Sequence, residues 1–125
     1  MDTKILVCPV CGQIIEVVKD KNIPIVCCGK PMEELKANTV DASQEKHVPV
    51  VEISGDTVNV KVGSAAHPME EDHFIEWIYL KTENGGQRKY LNPGDAPEAS
   101  FNLGGEKAVA VYEYCNLHGL WMTEV

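Results

Sequence analysis

Polar and apolar residues alternate along much of the chain after position 48. Thr57-Val58-Asn59-Val60-Lys61-Val62 keeps a period of two, the mark of a strand with one buried face. Residues 50–53 precede it across Ser54-Gly55-Asp56, which reads as a hairpin turn. Residues 75–80 and 87–91 flank Asn84-Gly85-Gly86, a second hairpin signal. Asn92-Pro93-Gly94-Asp95 and Leu103-Gly104-Gly105 punctuate the next segments, and 108–114 forms a long run rich in Val and Tyr. No window carries a helical period. The pattern predicts a mainly β chain, with six or seven short strands forming an antiparallel β-sandwich of immunoglobulin-like form.

The first 36 residues differ. They predict short strands at 4–7 and 14–18 with turns at the cysteines, and a unit below about 40 residues seldom holds itself together by a hydrophobic core alone. A metal or a partner chain must then support it. The polar stretch 37–44 shows no apolar period and reads as a linker, leaving 45–125 as the larger domain.

Charged residues make up 24% of the chain and apolar ones 44%, a globular balance, and the net charge of −8 argues against a nucleic-acid partner. Three apolar residues ahead of Cys8-Pro9 are too few for the core of a signal peptide, and no run approaches transmembrane length. The expectation is a cytoplasmic protein. In that compartment five cysteines, an odd number, point to metal ligation rather than a disulfide framework.

Four of the cysteines lie in the first unit. Cys8-Pro9-Val10-Cys11-Gly12 is a metal knuckle, two thiolates three residues apart over a glycine turn; its partner is the vicinal pair Cys27-Cys28 before Gly29. Adjacent cysteines must splay to reach one ion, which distorts a tetrahedron. Structural zinc and redox-active iron both remain open from this spacing.

The fifth cysteine keeps company with all four histidines: His47, His67, His73, Cys115 and His118. A lone histidine is most often a surface or core residue. Here all four share one domain with its single cysteine, at loop–strand junctions. Four neutral imidazoles and a thiolate exceed what tetrahedral zinc takes, and suit an octahedral or square-pyramidal iron with one position open. A ferrous ion with one thiolate carries roughly +1 and attracts a small anion, whereas four thiolates make it roughly −2. Reading Cys115 and His118 as a nucleophile–base pair leaves three histidines without a role.

Taken together, Cys8-x2-Cys11, Cys27-Cys28, Glu45-Lys46-His47-Val48-Pro49, His67-Pro68-Met69-x3-His73-x-Ile75-x-Trp77-Ile78 and Cys115-Asn116-x-His118-Gly119-Leu120-Trp121 resemble the desulfoferrodoxin family of two-iron superoxide reductases. The likeness spans 8–121, and all nine cysteines and histidines fall in family ligand positions. It implies a desulforedoxin-like (rubredoxin-like) domain at 1–36 with iron on Cys8, Cys11, Cys27 and Cys28. It implies a superoxide reductase domain at 45–125 whose iron has four equatorial histidines, His47, His67, His73 and His118, and an axial Cys115. Such an enzyme reduces superoxide to hydrogen peroxide by one electron; the family is generally a cytoplasmic homodimer re-reduced by a rubredoxin-like donor. By resemblance, Glu45 closes the sixth position of the ferric iron and Lys46 sets a positive charge over the ferrous site. Without the motif, both read as solvated surface charges. Pro49 and Pro68 read as loop-shaping residues, and Trp77, Trp121 and Met69 as packing.

Overall fold

A computed structural model of the chain describes residues 3–125, which separate into two units meeting between Lys36 and Ala37. In the first, β1 (Ile5–Val7) is the middle strand of a small antiparallel sheet, flanked by β2 (Ile14–Glu16) and β5 (Glu33–Glu34). Two-residue strands β3 (Val26–Cys27) and β4 (Lys30–Pro31) make a separate hairpin. Strand β2 stops at Glu16, two residues short of the stretch the sequence predicts.

The second unit holds a four-residue helical turn, α1 (Gln44–His47), and seven strands: β6 (Pro49–Ser54), β7 (Thr57–Val62), β8 (Ile75–Thr82), β9 (Gly86–Tyr90), β10 (Glu98–Asn102), β11 (Ala108–Cys115) and β12 (Gly119–Glu124). They form two antiparallel sheets in the orders β10-β7-β6 and β12-β11-β8-β9, a sandwich-like arrangement. The alternation in β7 has its predicted meaning: Val58, Val60 and Val62 are buried while Thr57, Asn59 and Lys61 are exposed. These valines pack with Phe101 of β10 and with Ile75, Ile78, Leu80, Val111 and Cys115 of β8 and β11. A hydrophobic core thus runs up to a metal-ligand candidate.

Helix α1 is the element the periodicity misses, since four residues are too few to display a 3.6-residue repeat. The polar stretch before it is tethered within this unit. The Asn38 backbone N–H donates to the Leu120 carbonyl (3.0 Å), and its side-chain amide pairs with the Met122 backbone as both donor and acceptor.

Candidate metal centres

Cys8 ends the first strand's run, and its carbonyl accepts from the Gly12 N–H (3.0 Å), closing the knuckle; Gly12 sits at φ 81, in the left-handed region that glycine tolerates. The vicinal pair solves its geometric problem by the same means. Neighbours in an extended strand point to opposite faces. Cys28 instead adopts φ 54 and Gly29 φ 74, forming the two left-handed central residues of the β3–β4 hairpin. The Sγ atoms of Cys11 and Cys27 then lie 3.8 Å apart, those of Cys27 and Cys28 4.0 Å, and all four sulfurs fall within 4.8 Å of one another. A tetrahedron with metal–sulfur bonds of about 2.3 Å has edges of about 3.8 Å, so the donor set fits one ion. The same closeness splits the thiols' acidities. The Cys11 backbone N–H draws the Cys8 thiol down to about 6, while hydrogen bonding to Cys8 pushes Cys27 up to about 12. Sulfurs this close share protons until a cation replaces them.

In the second unit the four imidazoles close into a ring. Centroids of His47 and His67 are 4.7 Å apart, His67 and His73 4.8 Å, His73 and His118 5.1 Å, and His118 and His47 4.8 Å. With metal–nitrogen bonds of about 2.1 Å, imidazoles radiating from one centre at right angles put neighbouring centroids about 4.6 Å apart. Cys115 belongs to both halves of the cluster, with His47 and His67 on one hand and His73 and His118 on the other. The buried Nε2 atoms of His67 and His73 have no hydrogen-bond partner, as fits atoms free to ligate one ion. His67 shows its tautomer: Nδ1 lies 2.6 Å from the Pro68 carbonyl, to which it donates, leaving Nε2 free to ligate. Burial holds His47 down to about 4, assisted by the neighbouring imidazoles, and lowers His67 likewise, so both are neutral donors at pH 7. Burial raises the Cys115 thiol, against the backbone N–H groups of Leu117 and His118.

The candidate side chains are held by several different devices. Asn116 ties two loops together: its Oδ1 accepts from the Phe74 N–H (3.0 Å) and its Nδ2 donates to the Asp72 carbonyl (3.0 Å), fixing His73 beside the Cys115–His118 turn. Trp121 stacks on His47 (5.0 Å, 13°) and donates from Nε1 to the His118 carbonyl (3.0 Å), so it does more than fill space. Residues 63–65 grip α1. The Ala65 N–H (2.8 Å) and the Ser64 hydroxyl (3.3 Å) donate to the Glu45 carbonyl, and a Cβ on Gly63 would stand 2.7 Å from that oxygen.

Glu45 and Lys46 are exposed on α1. The Ser43 hydroxyl holds the Glu45 carboxyl below its usual range, and Glu45 is not among the clustered ligand atoms. The Lys46 charge bears on His47 and His67, lowering both. A residue the sequence reading passed over is Glu113, fully buried in β11, whose carboxyl burial pushes up to about 9. The strand's period of two, which sets positions 111, 113 and 115 on one face, was the signal that placed it there.

Two family models match the chain: desulfoferrodoxin over residues 39–124 and the desulfoferrodoxin N-terminal domain over residues 2–35. The chain is 56% identical to a desulfoferrodoxin of Syntrophotalea carbinolica over 94% of its own length and 92% of the relative's. It is 38% identical to a superoxide reductase of Pyrococcus horikoshii, covering 68% of this chain and 90% of that one. Among solved structures, the superoxide reductase from Treponema pallidum superposes with a TM-score of 0.83 at 37% identity, over 99% of this chain and 100% of the other.

Proposed function

The chain belongs to the desulfoferrodoxin family, and from that premise we propose a reading of its two centres. It is a superoxide reductase: one electron and two protons convert superoxide to hydrogen peroxide, and an external donor then restores the electron. The observation that carries this is the closed ring of four imidazoles with Cys115 common to both halves. Two mononuclear non-haem irons per chain fit these donor sets, and the one at the histidine–cysteine centre supplies, when bound, the reducing electron and an open coordination position.

We assign Cys8, Cys11, Cys27 and Cys28 as the ligands of the first centre. His47, His67, His73, His118 and Cys115 would hold the second. Residues 1–36 are then a desulforedoxin-like domain, 37–44 the connection and 45–125 the reductase domain. In a chain of net charge −8, Lys46 supplies the local positive field that draws superoxide in. Glu45, two residues before His47, would supply a carboxylate beside that centre. Cys115, buried and facing two backbone N–H groups, would supply a thiolate that favours the oxidised state of a bound iron. The protons come from solvent.

Exposed Leu117, between two ligand positions, favours contact with a small apolar-rimmed donor such as a rubredoxin-like protein. The exposed aliphatic side chains Val10, Val18, Ile23, Ile25 and Val26 favour a homodimer in which a second copy covers them. Among the described residues no helix is long and apolar enough to cross a membrane, and a cytoplasmic location is our reading. The test is pulse radiolysis of the reduced, iron-loaded protein. One peroxide per electron without dioxygen is expected; dioxygen release would mean dismutation, and no superoxide-dependent oxidation would leave only an electron carrier.

A further inference from the structure

Glu113 is a costly side chain to bury. It has no solvent exposure, and neither carboxyl oxygen has a hydrogen-bond partner. Leaving such a group unsatisfied works against folding, while an apolar side chain of similar volume would remove that cost. The position therefore answers to something other than stability, and its surroundings say what. Glu113 shares the inner face of β11 with Cys115, two residues away, and its cross-strand neighbour on β12 is Trp121. Trp121 in turn lies flat against the His47 ring. The Nδ1 edge of that ring faces Glu113, with Oε1 at 3.9 Å, and Nδ1 too is buried and without a partner.

We propose that Glu113 is the positioning residue of His47, accepting a hydrogen bond from Nδ1–H and so presenting Nε2 to the metal. The inference rests on the reading of His47 as a ligand. An imidazole that ligates through Nε2 carries its proton on Nδ1, and that proton needs an acceptor. His67 has one in the Pro68 carbonyl; for His47 the facing acceptor is Glu113 Oε1. Closing 3.9 Å to hydrogen-bond range takes a movement of about 1 Å. Trp121 then fixes the plane of the ring and Glu113 its rotation within that plane.

The test separates the acceptor from the volume. Glu113→Gln keeps an acceptor; Glu113→Met keeps the bulk and removes it. Each variant is loaded with iron, and three things are measured: iron retention against a competing chelator at the histidine–cysteine centre, the paramagnetic spectrum of its ferric form, and thermal stability. Glu113→Met is expected to fold at least as stably as the parent, yet to hold that iron about 10–100-fold more weakly and with an altered spectrum. Glu113→Gln should restore both toward the parent. A Met variant with parental iron affinity and spectrum overturns the proposal, as does a Gln variant as impaired as the Met one. His47→Ala is the control for the underlying reading. If it too leaves spectrum and affinity unchanged, the assignment of His47 as a ligand fails; if it alone changes them, only the role of Glu113 does.

Discussion

Among residues 3–36 only Ile5, Leu6 and Cys8 are fully buried, whereas the second unit encloses valines, isoleucines, leucines and aromatics between two sheets. The four-cysteine cluster follows that difference: Cys11 and Cys28 are exposed, on short turns. The histidine–cysteine cluster sits at the end of a built core, with Cys115 and His47 buried. One unit has almost no core of its own beside its cluster, and the other builds its cluster on a core. The contrast also divides the chemistry. Four thiolates make a centre that repels anions and can only pass electrons, while one thiolate among neutral imidazoles leaves a centre an anion can approach.

Metal removal should break the comparison open most widely. Stripping both ions is expected to unfold the first unit, since structural sites of this kind supply on the order of 10 kcal/mol of folding free energy. The sandwich of the second should persist. Amide hydrogen exchange resolved by residue checks this: protection lost over β1 to β5 and kept over β7, β8 and β11. Cys28→Ser should likewise disturb the first centre while superoxide reduction continues at nearly the parental rate, because the two clusters share no ligand. Loss of iron from the histidine site in that variant would refute the division.

Within the second unit, Gly63→Ala tests whether the core or the loops position the site. The new methyl group meets the Glu45 and Val48 carbonyls at 2.7 and 2.9 Å, backbone atoms that cannot swing aside. A loss of about 1–3 kcal/mol is expected, with α1 displaced and iron held less tightly at His47. Calorimetry and iron titration measure both, and unchanged values would mean that α1 yields freely.

Replacing Lys46 by methionine should slow the reaction of the reduced protein with superoxide about tenfold, a loss that shrinks as salt rises. Lys46→Arg should keep most of the rate. Pulse radiolysis across ionic strengths decides; equal rates and salt slopes for parent and Met variant would remove Lys46 from the mechanism.

The smallest effect belongs to Glu45→Ala. Azide should bind the oxidised protein severalfold more readily, because the competing carboxylate is gone and the oxidised ion favours hard oxygen ligands. The rate with superoxide should scarcely change. Optical titration with azide measures it, and an unaltered affinity would return Glu45 to the status of a surface charge.

Residue chemistry alone carried much of this protein. The nine cysteines and histidines were legible as two donor sets because ligand types are few and their spacings are set by turns, and the β-sandwich was legible because period-two burial is written directly into 57–62. Helix α1 was not, being one turn long. Nor was the order of the imidazoles around their centre, which joins α1, the β7–β8 connection and the β11–β12 turn across many residues of chain. Glu113, Gly63 and Asn116 carry no role that their neighbours in sequence make readable. Their roles depend on what lies across the sheet or behind the backbone: an unpartnered imidazole edge, a carbonyl at 2.7 Å, a loop over forty residues away in sequence. Such contacts come from packing between distant segments, and local spacing holds no record of them. The sequence by itself marked out which side chains are candidates to bind metals; the tertiary structure decided how those side chains are aimed, because aiming a side chain takes neighbours that only the folded chain brings near.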